Sequence, residues 1–174
     1  MKKATTKDVI DTLTYLSKHA QKAYKEILRI IERPDFLFSN DRTLTPLEAL
    51  TNYRYIHGFT RLLRKGTISL NDVTQSFIFL EAKVEEYLKN IYKDKDFKLI
   101  VYGDVGIPGF TLTVTSFYEN QDDEGRYELN DLVKWFAENA LYNGLHIEEG
   151  AAEEVTDESS GNMFKRYYSK IIKT

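Results

Sequence analysis

Apolar residues recur at alternating spacings of four and three along the first part of this 174-residue chain. The series consists of Val9, Leu13, Leu16, Ala20, Ala23, Ile27 and Ile30. Such heptad spacing places its members on one face of a helix and forms an apolar seam. Because Pro34 interrupts helical hydrogen bonding, the pattern predicts one long helix, helix one, over residues 6–33.

A second helix is predicted over residues 46–65. Thr45 suits the N-cap, Pro46 suits the first helical position, and Glu48 would complete a capping box. Gly66 suits the left-handed position that commonly follows the last helical turn. These signals together predict helix two as an uninterrupted element.

A third helix is predicted over residues 70–93. Ser69 and Asp72 have the spacing of a capping box, and a further heptad series follows. Its members are Val73, Phe77, Leu80, Val84, Tyr87 and Ile91. The connection from Gly66 to Ser69 is short, so helices two and three should be antiparallel neighbours. Residues 1–95 are therefore predicted to form an antiparallel three-helix bundle.

Near Asp96 the apolar period changes from that of a helix to that of a strand. Strands are predicted at 98–102 and 110–118, where apolar residues alternate with threonines in the second segment. Residues 103–109 contain three glycines and join the strands as a hairpin loop. They lack the following helix and the Lys-Ser/Thr pair of a phosphate-binding loop.

The remainder is predicted to add two helices and one short strand. Asn130 and Asp131 would cap a helix of about a dozen residues that ends at Gly144. Residues 145–147 read as a strand, and the segment from Met163 reads as a closing basic helix. The fold class is α+β, with a small antiparallel sheet and two further helices after the bundle. Residues 1–95 and 96–174 are predicted as two subdomains of one compact unit.

Charge is divided unevenly along the chain. The formal net charge is -3, but residues 101–160 carry 14 acidic side chains against Arg126 and Lys134, a net of -12. Spaced carboxylates on a surface imitate a phosphate backbone and attract basic proteins. The candidate partner-binding residues are Glu119, Asp122, Asp123, Glu124, Glu128, Asp131, Glu148, Glu149, Glu153, Glu154, Asp157 and Glu158.

The hypothesis that follows is a non-enzymatic binding or inhibitor protein whose acidic half engages a basic partner, such as a nuclease or another nucleic-acid-binding protein. In composition the chain is similar in type to small phage inhibitors of host defence nucleases, which are short, acidic and poor in cysteine. Catalysis through a carboxylate such as Asp104 lacks a paired constellation.

The alternative is a nucleic-acid-binding protein that uses the basic faces of helices one and two. Basic stripes on helices can follow a phosphate backbone, although they are also ordinary solvated faces. The residues concerned are Lys18, Lys22, Lys25, Arg29, Arg54, Arg61 and Lys65.

Several chemistries lack support in the sequence. There is no cysteine, which excludes disulfides, thiolate catalysis and cysteine-bound metal. His19, His57 and His146 show no metal-binding spacing, so no cofactor and no metal site is predicted. Residues 120–131 can be aligned with a calcium-binding loop, but a β-turn in a hairpin fits them better. No signal peptide and no membrane-spanning run is seen, so a cytoplasmic location is expected.

A homodimer is predicted from the length of helix one. A helix of 28 residues would run about 42 Å, whereas helix two would span about 30 Å. Part of the apolar seam would then lack a partner within the chain, and a second copy could cover it.

Overall fold

The computed structural model describes residues 6–105, 109–118, 127–142 and 165–174. These residues form an α+β fold, in which six helices and one 3-10 turn accompany a four-stranded antiparallel sheet. The elements are α1 Thr6–His19, α2 Gln21–Glu32, the 3-10 turn Arg42–Leu44, α3 Thr45–Thr51, β1 Arg54–Ile56, α4 Gly58–Arg64, α5 Leu70–Ile91, β2 Phe97–Asp104, β3 Gly109–Ser116, α6 Leu129–Tyr142 and β4 Lys165–Ile172.

The sheet has the strand order β1-β3-β2-β4. Strands β2 and β3 pair antiparallel along their whole length, from Phe97 opposite Ser116 to Asp104 opposite Gly109, which confirms the predicted hairpin. One sheet face packs against helices, because Gly103 of β2 lies against the side chains of Leu132 and Phe136 in α6. The core between the sheet and the helices is rich in phenylalanine rings.

The predicted helix one is wrong in one respect, because it breaks at Ala20 into α1 and α2. Ala20 leaves helical geometry with φ -132° and ψ 45°, although its N–H still donates to the Leu16 carbonyl at 2.8 Å. The apolar seam survives the break, and its members from Leu16 to Ile30 are buried within the chain. Heptad spacing reports which side chains share a face, and a local change of axis leaves that spacing intact.

The predicted helix two is also wrong. The chain forms the short helix α3, then strand β1, then the short helix α4. Asn52 ends α3, since its side-chain amide donates to the carbonyls of Leu37 and Val114 at 2.9 and 2.8 Å. Strand β1 then pairs with β3, with Ile56 opposite Phe110. These long-range bonds outweigh local helix signals, which are weak in comparison.

Glu48 does not complete a capping box. Its carboxylate is buried and accepts hydrogen bonds from the Ser39 and Ser116 backbone amides, both at 2.6 Å. By contrast, the predicted position of Gly66 is confirmed, since it follows α4 with φ 61°. Helix three is confirmed as α5, and both hydrogen bonds of the Ser69–Asp72 capping box form.

The closing segment is a strand rather than the predicted basic helix. Strand β4 pairs antiparallel with β2 over eight residues, from Lys165 opposite Asp104 to Ile172 opposite Phe97. Tyrosine and isoleucine favour strands, and pairing along all of β2 decides in favour of the sheet. Of the two further helices predicted, α6 forms. The predicted strand at 145–147 lies outside the described residues.

The predicted three-helix bundle is not confirmed, because helix one is divided at Ala20 and the elements α3, β1 and α4 take the place of helix two. Helix α5 packs against α1, α2 and α6. The division into subdomains at residue 95 stays a prediction. Strand β1, which belongs to residues 1–95, pairs with β3, which belongs to residues 96–174. The hydrophobic core also contains residues of both ranges. The homodimer also stays a prediction, testable by light scattering, but the seam that suggested it is covered by the chain itself from Leu16 onward.

Candidate nucleic-acid interface

A hollow of about 540 Å³ lies between helix α2 and the edge strand β1. We call it the basic groove. Three arginines and two carboxylates contribute to its walls, together with two tyrosine rings and one histidine ring. Its lining consists of Glu26, Arg29, Ile30, Arg33, Asp35, Tyr53, Arg54, Tyr55 and His57.

The Arg54 side chain links the segment before β1 to the segment after α2, and both segments contribute to the basic groove. Its Nη1 donates to the carbonyls of Thr51 and Tyr53, both at 3.1 Å, and its Nη2 donates to the carbonyls of Pro34 and Asp35 at 3.1 and 3.2 Å. Burial lowers the pKa of the Arg54 guanidinium, but an arginine stays charged at any physiological pH. Arg54 therefore contributes charge to the groove while its donors are committed to the backbone.

These bonds also fix the turn that follows α2. Asp35 has φ 38°, in the left-handed region that non-glycine residues rarely occupy. Its carbonyl is one of the acceptors of Arg54, so the arginine stabilises this unusual backbone. Asp35 lines the groove three residues after the end of α2.

Helix α2 meets the start of α4 next to the basic groove. The Gly58 N–H donates to Glu26 Oε2 at 2.9 Å, and Gly58 lies directly against the backbone of Ala23. Only a residue without a side chain fits this approach. Glu26 therefore has a structural hydrogen bond and also contributes a negative charge to the lining of the groove.

Three rings lie in a row along β1, which we call the aromatic row: Tyr53, Tyr55 and His57. Alternate residues of a strand project to the same face, which brings these side chains together. The rings of Tyr55 and His57 stack at 5.0 Å with an interplanar angle of 15°, and those of Tyr53 and Tyr55 lie 4.5 Å apart, edge to face. Tyr55 is 51% exposed, which is high for a large ring in a strand.

The outer face of α2 continues the positive charge beyond the groove. Lys22, Lys25, Arg29 and Arg33 are all exposed. Spacings of three and four place the first three on one side of the helix, and Arg33, just after its last residue, lines the same hollow as Arg29. Two shallower hollows of about 510 and 450 Å³ run along this side, and Lys25 and Arg29 line both. We call these four residues the α2 basic stripe.

Only part of the predicted nucleic-acid-binding set comes together. Lys22, Lys25, Arg29 and Arg54 lie in or beside the basic groove. Lys18 lies on α1 across the break, and Arg61 and Lys65 are exposed at the end of α4; none of these three lines the groove.

Sequence reasoning missed Arg33 and the aromatic row. Arg33 continues the i, i+4 spacing of Arg29 and could have been found from that spacing alone. The alternation of Tyr53, Tyr55 and His57 is a strand signal, but it lay inside the segment predicted as helix two.

The predicted acidic surface falls mostly on residues that the structure does not describe. Glu128 and Asp131 are described and exposed, and Asp131 lies in the first turn of α6. The other ten carboxylates lie outside the described ranges, as does most of the 120–131 segment. Within the described ranges, no group of three or more side chains of the metal-binding types comes together.

Comparisons with known proteins give no identity. No protein-family model, no curated protein and no solved structure matches this chain. None of the helices in the described ranges is long and apolar enough to cross a membrane.

Proposed function

We propose that this protein binds nucleic acid through the basic groove and the α2 basic stripe. The observation that supports this most is the joint presence, around one hollow, of exposed cations and of the aromatic row, in which Tyr55 is exposed and Tyr53 and His57 are half-buried. Cations contact phosphates and rings contact bases, and proteins that bind nucleic acid along a groove combine both. The function proposed is binding rather than catalysis.

The charge of the stripe is available to a ligand. Among the described residues, no carboxylate forms an ion pair with Lys22, Lys25, Arg29 or Arg33. Glu26, Glu32 and Asp35 reduce the local positive charge. The four cations still exceed these three acids by one and Arg54 adds one more, which leaves a net positive surface that favours a polyanion.

The α2 basic stripe is also long enough to contact several phosphates of one nucleic-acid strand. The twelve residues from Lys22 to Arg33 span eleven steps, or about 16 Å if the helical rise is continued to Arg33. If all four cations contact phosphates of a single strand, the logarithm of affinity should fall with the logarithm of salt concentration with a slope of about -3. Binding should then weaken roughly 50-fold between 50 and 200 mM salt.

The test is fluorescence anisotropy with labelled oligonucleotides of 20 nucleotides at both salt concentrations. The variant Lys22→Gln/Lys25→Gln/Arg29→Gln should bind much more weakly and with a slope reduced by about 2. The control Lys83→Gln/Lys89→Gln/Lys93→Gln removes the same charge from exposed positions at α5 and just beyond it. Equal loss in both variants would show that net charge alone matters, and the site would be wrong.

A second candidate function is the acidic one, a binding or inhibitor protein for a basic, nucleic-acid-binding partner such as a nuclease. What favours it is the net charge of -12 over residues 101–160. A protein that imitates nucleic acid should not bind nucleic acid itself and should compete with it for the partner. The anisotropy experiment therefore separates the two candidates, since salt-sensitive binding favours the basic groove.

A further inference from the structure

We infer that the basic groove takes an unpaired base of a single strand against the aromatic row, while the α2 basic stripe holds the phosphates on either side. This inference rests on the proposed function and narrows it from nucleic acid in general to single strands. It assigns separate roles to two walls of the same hollow. Arg29 and Arg33 form the phosphate wall, and Tyr55 with its two neighbouring rings forms the base wall.

The aromatic row is held in place before any ligand arrives. Tyr55 lies opposite Thr111 in the ladder between β1 and β3, which fixes the backbone of the row. His57 packs over Gly109, where an added Cβ would lie 2.7 Å from His57 Nδ1. A ring surface that is already ordered loses little entropy when a base stacks on it.

The size of the hollow fits a base rather than a duplex. A volume of about 540 Å³ is within the range of about 300–1,000 Å³ typical of small-molecule pockets. In a duplex the bases are paired and stacked inside the helix, so a ring can reach a base face only after the base leaves the stack. Single strands offer their base faces at no such cost, and stacking on aromatic rings tolerates any sequence.

The binding test compares a labelled single strand of 12 thymidines with a hairpin duplex that has the same number of phosphates. The single strand should bind at least tenfold more tightly. Tyr55→Leu should weaken single-strand binding by between about 5-fold and 100-fold and leave duplex binding unchanged. The control Tyr118→Leu removes another partly exposed tyrosine, next to Arg42, and should change neither.

A second measurement on the unaltered protein reads out contact directly. A single strand that carries 5-iodouracil should form a photochemical cross-link to the peptide with residues 53–57. Thymidine monophosphate should not displace the strand at concentrations near the dissociation constant of the strand, because it cannot reach Lys22 and Lys25 as well as the rings. Displacement at such concentrations would overturn the inference and assign the groove to a free nucleotide.

The outcomes separate this inference from the function on which it rests. Suppose that the Lys22→Gln/Lys25→Gln/Arg29→Gln variant loses binding but the unaltered protein binds single strand and duplex equally. The proposed nucleic-acid binding then stands, and the assignment of the aromatic row to base stacking is wrong. Cross-links that map only outside residues 53–57 lead to the same conclusion. If neither oligonucleotide binds at 50 mM salt, both the proposed function and this inference are overturned.

Discussion

Gly58 lies against the backbone of Ala23, so that a Cβ added to Gly58 would fall 2.2 Å from the Ala23 amide nitrogen. Helix α2 and the first turn of α4 therefore approach at backbone distance. One turn further along α2, Glu26 Oε2 accepts the Gly58 N–H at 2.9 Å. This contact joins one wall of the basic groove to the segment that follows β1.

Replacement of Gly58 by alanine should therefore destabilise the protein. Because the contacting atoms are mostly backbone, they cannot move aside as a flexible side chain would, and we expect a loss of about 3 kcal/mol in the free energy of unfolding. Urea denaturation measures it. The control is Gly66→Asn: Gly66 has open space around it and φ 61°, a conformation that asparagine tolerates, so the loss should stay below about 1 kcal/mol.

Glu48 provides a second test of the fold. Its Oε1 accepts from the Ser39 amide and the Ser116 hydroxyl, and its Oε2 accepts from the Ser116 amide. In Glu48→Gln an amide group would point donors at donors, which should cost about 2–3 kcal/mol in thermal or urea unfolding. Glu86→Gln, at an exposed position on α5, should stay within about 0.5 kcal/mol. Similar values for both variants would argue against a buried Glu48.

Helix α5 and strand β1 show which parts of the fold could be predicted from the sequence and which could not. Helix α5 was predicted because its capping box and its apolar series are local signals. Strand β1 was missed because the segment before it is held by hydrogen bonds with distant residues: Asn52 donates to the Val114 carbonyl, and Glu48 accepts from the Ser116 amide. A partner 62 or 68 residues away along the chain leaves no trace in a local pattern.

The candidate site also has a part that local sequence patterns predicted and a part that they did not. The cations of α2 were found because helical spacing alone puts Lys22, Lys25 and Arg29 on one side. The aromatic row was missed because it exists only once β1 is a strand. Arg54 was predicted as a surface cation of a helix, whereas the structure commits its donors to four backbone carbonyls.

The contact between α5 and β4 predicts a dependence on pH. Lys170 Nζ donates to Glu81 Oε1 at 2.6 Å and to Glu85 Oε2 at 2.8 Å. Burial alone would raise the pKa of Glu85, but the hydrogen bonds from Lys170 and Lys89 outweigh it and lower the pKa from its ordinary 4.5. For Lys170, burial acts to lower the pKa, and the bonds to Glu81 and Glu85 raise it above 10.5.

The lowered pKa of Glu85 and the raised pKa of Lys170 set an acid limit and an alkaline limit to the pH range in which their contacts stabilise the fold. A carboxylate with a lowered pKa stabilises the fold above its unfolded value, and this stabilisation is lost as pH falls through the lowered one. A lysine with a raised pKa stabilises the fold below its unfolded value, and this is lost as pH rises through the raised one. The contribution of the Lys170 contacts should thus be present at neutral pH and fade in strong acid and strong alkali.

Lys170→Met tests this. The variant should be less stable than the unaltered protein by about 1–2 kcal/mol near pH 7, a value between those of exposed and buried pairs. The difference should shrink below about pH 4 and above about pH 11 when unfolding is followed across pH. Lys134→Met, whose pair with Glu138 is long and exposed at 3.9 Å, should show a difference below about 0.5 kcal/mol at every pH. A Lys170→Met difference that stays constant from pH 3 to 11 would contradict the ionic origin.

The last prediction tests the acidic candidate function. A partner is first captured from the source cell with the unaltered protein and identified by mass spectrometry. Glu148, Glu149, Glu153, Glu154, Asp157 and Glu158 are then replaced together by glutamine or asparagine. We expect binding of the partner to weaken, chiefly through a slower association rate that depends less on salt, because peripheral charges steer the encounter.

The matched control removes Lys18, Lys22, Lys25 and Arg29 in the same way and should leave binding of that partner intact. If the six acidic side chains are exposed, stability should change little in the acidic variant, by about 0.5 kcal/mol or less for each substitution. The reverse pattern, in which the basic substitutions weaken capture and the acidic ones do not, is expected if the basic groove is the functional site. In that case nuclease treatment of the lysate should abolish the capture, because nucleic acid would then be what links the protein to its partner.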